Sequence, residues 1–531
     1  MSLINELKAT LINENNYQLT ENGAVGYKST GKVLTDLNFR VSSMRNRVTI
    51  DDMNLFIKAM DEDLEYAIKW LFFMRDIRCG MGERDAFQTL YMKYAELYPT
   101  EAKATLKLVA EFGRWKDVID IINMDSNDIL GGMELVKDTF YEDIQNCMAG
   151  KSISLLAKWM PSINASGKAR KQAKRFAKYF ELPYVSYRKM LSKLRAYLDV
   201  TEVKTCSNRW GEIDYNKVSS NANKRYLNAF KKHDGQRYLE HCSKALDSSI
   251  GVKMHASVLY PHEIWDKYSN LLKPTLMYNY YSNGGRRVLA ETITEDISLE
   301  AMWKNLADMG DCGNTMVVVD GSGSMLSMAN GVRPINVSRS LGVYFAERCK
   351  GEFHNILMEF SHRPKLIDLN DCETLKDKVV KMSKYDDCTN TDIEAVFMLI
   401  LRTAVGANMK QSDLPDRILI VSDMEFDNAI NQTPCMYGMK ALFAELADRY
   451  AEYGYKLPKL VFWNVNSRTK TIPMTENELG VVLISGFSPN ILSMVMSDQT
   501  DPWLALKDKL DSNRYNCVID TLKSVWENDK Y

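Results

Sequence analysis

One carboxylate and two hydroxyls follow an apolar run closely in the stretch TMVVVDGSGSM (315–325). The apolar run predicts a β-strand that ends at Asp320. Ser322 and Ser324 alternate with glycines, which are small enough to let a turn close tightly with both hydroxyls facing one point. Carboxylate and hydroxyl oxygens are hard donors suited to Mg²⁺, with Mn²⁺ or Ca²⁺ as alternatives. We interpret the stretch as a divalent-cation site rather than as a polar turn that only caps the next helix.

Two more stretches place polar side chains where the same cation could use them. RILIVSDMEFD (417–427) is another apolar strand that ends in a carboxylate, Asp423, and DDCTNTD (386–392) is a polar loop before a helix pattern. The loop offers two hydroxyl candidates, Thr389 and Thr391, and their spacing does not decide between them. In open α/β sheets, ligands bind beyond the carboxyl ends of the strands. We therefore expect all three loops to meet at one sheet edge.

Hydrolytic chemistry lacks its usual sequence signals. The serines do not lie in a Gly-x-Ser-x-Gly elbow, and no histidine is positioned by the sequence to activate them. A phosphate-binding GxxxxGK[ST] loop is also absent. These observations argue against a serine nucleophile and against nucleotide hydrolysis, so we expect a protein that is not an enzyme.

The pattern of apolar residues changes along the chain and predicts two domains. Up to about residue 290, apolar residues recur at spacings of three and four, which predicts successive amphipathic helices in an irregular array. From residue 315, short apolar runs alternate with helix patterns, which predicts a parallel sheet covered on both faces. We predict an α-helical array over 1–305 and a doubly wound, Rossmann-like α/β domain over 306–531.

Positive charge is concentrated in one segment of the predicted helical array. Residues 151–233 contain 19 Lys or Arg against five Asp or Glu, a balance of +14 in a chain whose net charge is −1. Consecutive basic helices favour a surface for nucleic acid over a solvated face or an acidic protein partner. We assign the interleaved aromatic residues Tyr226 and Phe230 to the core. The candidate RNA-binding residues are Lys168, Lys171, Lys174, Arg175, Lys178, Arg188, Lys189, Lys193, Arg195, Lys224 and Arg225.

Cysteine usage and the absence of long apolar runs bear on the cellular location. The ten cysteines form no CxxC pair, the start of the chain lacks a signal-peptide pattern, and no run is long enough to span a membrane. We expect reduced thiols, a cytoplasmic protein and no membrane partner.

The three polar loops resemble the von Willebrand factor A domain with its metal-ion-dependent adhesion site. The Asp-x-Ser-x-Ser element of that family matches Asp320, Ser322 and Ser324, and its later aspartate matches Asp423. The family threonine usually follows two glycines; here Asp387 and Cys388 precede Thr389, so Thr389 and Thr391 both stay candidates. The resemblance implies a cation held through hydroxyls, with one coordination position open for an acidic group of a partner.

A helical array joined to such a domain resembles the architecture of the Ro ribonucleoprotein family with its TROVE module. A related family that combines the same two parts is similar in FFMRDIRCGMGER (72–84), SLLAKWMPSINAS (154–166) and LISGFSPNIL (483–492). The resemblance implies HEAT-like helical repeats, with ring closure left open, and binding of small structured non-coding RNA. We expect a scaffold that binds structured or single-stranded RNA. The alternatives are an adaptor that captures an acidic partner residue through the metal and, less favoured, a metal-dependent nuclease.

Overall fold

The chain folds into two compact units, each of them discontinuous in sequence. The computed structural model describes residues 15–45, 47–272, 293–328, 331–360, 363–385, 390–427 and 441–528. The first unit, here called the α/β unit, comprises Met1–Ala59 and Cys242–Lys509, and the helical unit comprises Met60–His241 and Leu510–Tyr531. This division differs from a single boundary at 305/306, because an N-terminal segment groups with the sheet and a C-terminal segment groups with the helices.

The α/β unit is built around a six-stranded sheet in the order β5-β4-β3-β6-β7-β8, with the hairpin β1-β2 as a separate pair. Neighbouring strands of the large sheet run parallel, except β4 and β5, which are antiparallel. The predicted mixed α/β part with its mostly parallel sheet is thus confirmed. The strands are β1 (Tyr17–Leu19), β2 (Val25–Tyr27), β3 (Thr315–Asp320), β4 (Ile356–Phe360), β5 (Lys365–Asp368), β6 (Arg417–Ser422), β7 (Lys459–Asn464) and β8 (Val481–Ser485).

Helices cover the sheet because its central strands are apolar on both faces. Val317, Val318 and Val319 are all buried, as expected for a parallel strand between two helical layers. Gly342 allows one helix to approach closely, since a Cβ there would lie 2.3 Å from Val319 Cγ1. The helices that lie wholly or mostly in this unit are α1 (Val33–Phe39), α2 (Val41–Met44), α3 (Ile50–Glu62), α14 (Pro261–Ser269), α15 (Ile297–Lys304), α16 (Pro334–Ala346), α17 (Leu375–Met382), α18 (Glu394–Gly406), α19 (Leu442–Glu452), α20 (Leu492–Val495) and α21 (Pro502–Leu510).

The helical unit consists of amphipathic helices packed through aromatic side chains. Phe72 contacts Phe87 and Phe112 at ring-centroid distances of 5.9 and 5.2 Å. No helix in the described ranges is both long and apolar enough to cross a membrane. The helices that lie wholly or mostly in this unit are α4 (Leu64–Arg75), α5 (Asp85–Leu97), α6 (Pro99–Phe112), α7 (Trp115–Met124), α8 (Gly132–Met148), α9 (Leu156–Trp159), α10 (Gly167–Tyr179), α11 (Tyr184–Tyr197), α12 (Thr201–Cys206), α13 (Ser220–Leu246) and α22 (Asn516–Asn528).

Candidate metal centre and nucleic-acid interface

Asp320 lies at the carboxyl edge of the sheet and is completely buried. The register that pairs Val319 with Val421 brings the ends of β3 and β6 side by side. The Ser422 hydroxyl donates to Asp320 Oδ2 at 2.5 Å, and the Ser322 N–H donates to Oδ1 at 2.9 Å. Both oxygens of the carboxylate are therefore fixed in direction. Ser422 is absent from the sequence-based candidates, because it occupies the last position of an apolar strand.

The two predicted serines come together in the turn after β3. Ser322 Oγ and Ser324 Oγ lie 3.1 Å apart; Ser322 is buried and Ser324 is half-buried. Gly321 is required between Asp320 and Ser322, because a Cβ there would come within 2.3 Å of Glu359 Oε1 on β4. The turn thus presents two hydroxyl oxygens beside a carboxylate.

Asp423 follows β6 and is the second buried carboxylate of the site. Its Oδ1 accepts from the Glu425 N–H at 3.3 Å. Its Oδ2 accepts no hydrogen bond from the described residues, and instead contacts Arg468 Nη2 in an ion pair at 3.4 Å. The next residue, Met424, has a φ of 64°, a left-handed conformation that is uncommon for a non-glycine residue. This strained turn holds Asp423 at the sheet edge.

Burial shifts the pKa of both carboxylates in the same direction. Burial raises the pKa of the Asp320 carboxyl above its ordinary value, and the nearby Asp423 carboxylate raises it further. Burial also raises the pKa of Asp423, while Arg468 and the Ser324 hydroxyl lower it. Two carboxylates in one dry site repel each other when both are ionised. A divalent cation would remove that repulsion.

The two threonine candidates differ in what the structure describes. Thr389 lies outside the described residues. Thr391 is buried, and its N–H donates to Asp427 Oδ2 at 2.9 Å, which joins the segment before α18 to the segment after β6. The Thr391 hydroxyl accepts a hydrogen bond from Asn22 Nδ2 at 3.0 Å, so its oxygen is engaged by the turn between β1 and β2.

Glu425 is a buried carboxylate that organises this edge of the sheet. Its Oε1 accepts from the N–H groups of Arg468 and Thr469 at 2.7 and 2.8 Å. Its Oε2 accepts from the Glu21 N–H at 2.8 Å. Because backbone donors satisfy it, Glu425 positions the Arg468 segment and is not a free ligand. No sequence spacing points to this role, since its partners come from two distant segments.

The donor set fits a hard divalent cation held partly by hydroxyls. Among the described residues, no group of three or more His, Cys, Asp and Glu side chains is arranged to hold a metal. The set here instead combines the carboxylates of Asp320 and Asp423 with the hydroxyls of Ser322 and Ser324. Asp423 Oδ2 is the buried oxygen that lacks a hydrogen-bond donor. Oxygen donors of this kind suit Mg²⁺, Mn²⁺ or Ca²⁺ better than the softer metals.

A cationic face lies on two helices of the helical unit. We use the term cationic face for nine residues of α10 and α11 that form no ion pair with any described residue. Eight of the nine are exposed, and the half-buried Lys174 places its Nζ 5.5 Å from the centre of the Tyr184 ring. Eight are candidates from the sequence, and Arg170 is an addition. The cationic face consists of Lys168, Arg170, Lys171, Lys174, Arg175, Lys178, Arg188, Lys189 and Lys193.

Aromatic packing beneath the cationic face fixes its two helices. On α10 the buried residues include Ala173 and Phe176, which follow the spacing of one helix face. Tyr187 of α11 stacks on Phe140 of α8 at 6.0 Å, and Phe180 lies 5.2 Å from the same ring. The charged face and the apolar face of each helix are therefore distinct.

Three other predicted RNA-binding residues lie in different environments. The Arg195 guanidinium donates to the backbone carbonyls of Ala157 and Met160, at 2.9 and 2.5 Å. Burial lowers the pKa of Arg195. Through these bonds Arg195 of α11 holds α9 and the residue that follows it, Met160. Lys224 is half-buried and Arg225 is exposed on α13, and Phe230 of the same helix is buried, as expected for a core residue.

The fold and the site define a mixed α/β protein with a helical unit and a buried carboxylate–hydroxyl site at the sheet edge. The family model described as "Domain of unknown function (DUF2828)" matches residues 20–138 and 164–313, and "Domain of unknown function (DUF7788)" matches residues 314–515. The chain belongs to the DUF2828 family. It is also 30% identical to "Uncharacterized protein L728" of Acanthamoeba polyphaga mimivirus over 542 aligned residues, which cover 96% of this chain and 90% of that relative.

Proposed function

We propose that this protein is an RNA-binding scaffold whose cationic face binds the phosphate backbone. The observation that carries the proposal is the set of nine cations on α10 and α11 with no ion-pair partner among the described residues. Surfaces that neutralise phosphates with Lys and Arg release condensed counterions, and this release drives binding. The proposed ligand is RNA, either small structured RNA or single-stranded RNA.

The arrangement of charge on α10 is costly without a polyanion. Lys171 lies three residues after Lys168 and four before Arg175, so like charges are neighbours on one helix face. Lys168 also stands in the first turn, where the helix dipole disfavours a cation. The helix contains no acidic residue to offset either effect. Bound phosphates would relieve both.

The test is charge reversal at two exposed positions of α10, Lys171→Glu with Arg175→Glu. We expect the affinity of the full chain for fluorescently labelled RNA to fall at least about tenfold at low salt, because two phosphate contacts become repulsive. Lys103→Glu with Lys107→Glu is the matched control, since these two exposed lysines have the same spacing on α6 of the same unit. Equal losses in both variants, or no RNA binding by the wild type, would contradict the proposal.

The candidate metal centre supports a second component of the proposed function. We propose that residues 306–531 contain a von Willebrand factor A-like domain, in which Asp320, Ser322, Ser324 and Asp423 would hold a divalent cation, with Mg²⁺ preferred. A bound cation would supply a Lewis-acidic point at the sheet edge. The buried, hydroxyl-flanked pair Asp320 and Asp423 favours this reading over a purely structural turn.

An adaptor function is the competing proposal for the same centre. A cation with few anionic ligands attracts a carboxylate of a partner protein. The adaptor predicts that Asp320→Ala abolishes capture of an acidic partner, while RNA affinity is absent or unspecific. The scaffold predicts that this variant binds RNA like the wild type, since the cationic face lies on other elements.

A further inference from the structure

We propose that Asn22 and Arg468 form an internal cap on the candidate metal centre and compete with a divalent cation for its oxygen ligands. The inference rests on the proposed metal function. It adds two residues that neither the sequence motif nor the family comparison assigns to the centre. Asn22 donates a hydrogen bond to the hydroxyl of Thr391, and Arg468 forms an ion pair with Asp423 Oδ2.

The turn between β1 and β2 is fastened to the segment that follows Asp423. The Thr20 hydroxyl donates to the Phe426 carbonyl at 2.6 Å, and the Glu21 N–H donates to Glu425 Oε2 at 2.8 Å. A β-bridge joins Gly23 to Asp427. These bonds are made by segments about four hundred residues apart in sequence, so the turn is an ordered part of this sheet edge.

Asn22 uses its side-chain amide to hold two groups of the centre. Its Nδ2 donates to the Glu425 carbonyl at 2.6 Å and to Thr391 Oγ1 at 3.0 Å. A hydroxyl oxygen that accepts this bond retains one lone pair. A cation would therefore have to use that remaining lone pair or displace the Asn22 amide. Asn22 therefore reduces the availability of Thr391 as a ligand.

Arg468 supplies the charge that a cation would otherwise provide. Its guanidinium lies between two carboxylates, with Nη2 3.4 Å from Asp423 Oδ2 and Nε 2.5 Å from Glu21 Oε2. Asp423 is fully buried, whereas the Arg468 side chain is about one-third exposed. The guanidinium can thus move towards Glu21 and solvent, while Asp423 cannot move away. A bound cation and the Arg468 guanidinium would repel each other, so the two compete for Asp423 Oδ2.

The experiment measures Mn²⁺ binding to the full chain by calorimetry, and it uses the metal alone as the probe. We expect Arg468→Ala to bind Mn²⁺ about tenfold more tightly than the wild type, because one positive charge leaves the neighbourhood of Asp423. Asn22→Ala changes no charge and should tighten binding about threefold by freeing Thr391 Oγ1. Arg402→Ala is the control, since Arg402 is an exposed arginine on α18 of the same unit.

The outcomes separate the cap from the metal function on which it rests. Mn²⁺ binding by the wild type that is lost in Asp320→Ala, with tighter binding in both cap variants, supports the proposal. Unchanged or weaker binding in either cap variant overturns the cap and leaves the metal centre intact. If the wild type binds no Mn²⁺ and neither cap variant gains binding, both the cap and the proposed metal function are overturned. A thermal melt of each variant without metal identifies any loss of folding.

Discussion

The buried carboxylate of Asp320 is stabilised by hydrogen bonds, but its charge is not neutralised by a basic side chain. Its two oxygens accept hydrogen bonds from the Ser422 hydroxyl and from the Ser322 N–H. Among the described residues, no lysine or arginine side chain forms an ion pair with it. Hydrogen bonds to an ionised carboxylate offset part of the cost of removing it from water, but they do not neutralise its charge. The second carboxylate, Asp423, adds repulsion. The pair is therefore most stable when it holds protons or a cation.

The stability of the metal-free protein should fall as the pH rises towards neutrality. In the folded state the pKa of Asp320 and that of Asp423 are raised above the ordinary value of 3.8, so the folded protein holds protons that the unfolded chain releases. This stabilisation is full below the unfolded pKa and is lost as the pH rises through the folded pKa. Thermal unfolding in a chelator between about pH 5 and pH 7.5 measures it.

Two comparisons make this pH dependence specific to the pair. Asp320→Asn removes one titrating carboxyl together with the repulsion, so its melting temperature should change less with pH than that of the wild type. Excess Mg²⁺ should raise the melting temperature of the wild type more at pH 7.5 than at about pH 5, because cations bind the ionised form. A wild-type melting temperature that rises over this interval, or an identical profile for Asp320→Asn, would contradict the assignment.

At the residue scale, the sequence pointed to groups that follow strands and missed groups held by distant contacts. Asp320 and Asp423 could be predicted because each lies at the end of an apolar strand pattern. Ser422, Asn22 and Arg468 could not, since their roles depend on hydrogen bonds and an ion pair between segments far apart in the chain. Periodicity and motif spacing carry no information about such contacts.

At the element scale, helix α11 presents two arginines with opposite expected roles. Arg188 is exposed and belongs to the cationic face, whereas Arg195 is half-buried and donates to two backbone carbonyls. Arg188→Ala should weaken RNA binding, reduce the salt dependence of the affinity by about one phosphate contact and leave the melting temperature unchanged. Arg195→Ala should lower the melting temperature, because two buried carbonyls lose their donor.

The two variants check each other because they change the same residue type on the same helix. RNA titrations at several salt concentrations and thermal melts of the full chain give both readouts. If Arg188→Ala lowered the melting temperature and Arg195→Ala did not, the assignment of the two arginines would be reversed. If Arg195→Ala reduced the salt dependence as much as Arg188→Ala, Arg195 would belong to the RNA interface after all.

Elements with a strong apolar pattern were predictable, and short elements were not. The run 315–320 predicts the strand that the structure places at Thr315–Asp320. Strands β1, β2 and β5 are only three or four residues long, and β1 and β5 contain polar and exposed positions, so no long run of apolar residues marks any of them. The hairpin β1–β2 forms because its partners lie after β6 and β7, for example at the bridge between Tyr27 and Ile472.

At the scale of the whole molecule, both ends of the chain complete a unit whose other residues are distant in sequence. The hairpin β1–β2 joins the α/β unit, and the C-terminal helix α22 joins the helical unit. Sequence patterns describe neighbours along the chain, so a discontinuous unit reads as two separate segments. A single boundary at 305/306 stays a prediction about sequence domains, while folding into compact units requires segments from both sides of it.

The C-terminal segment should be required for the stability of the helical unit. Tyr515 is completely buried and stacks on Phe112 with a ring-centroid distance of 5.7 Å. Arg514 Nε contacts the buried carboxylate of Asp76 at 3.0 Å. Truncation after Leu510 removes both side chains, and the loss of a buried aromatic residue alone costs about 3–5 kcal/mol. Asp76 would also be left as an unpaired buried charge, which adds to the loss.

Hydrogen exchange measured along the full chain and along this truncated chain tests that expectation. Amides of α4 and α6, which carry Phe73 and Phe112 against Tyr515, should lose protection, because their aromatic contacts at 6.0 and 5.7 Å disappear. Truncation after Asn528 is the control, since it leaves α22 in place. RNA affinity should fall with the first truncation and not with the control, as the cationic face belongs to the destabilised unit. Full protection of α4 and α6 after loss of Tyr515 would show that the helical unit folds without its C-terminal helix.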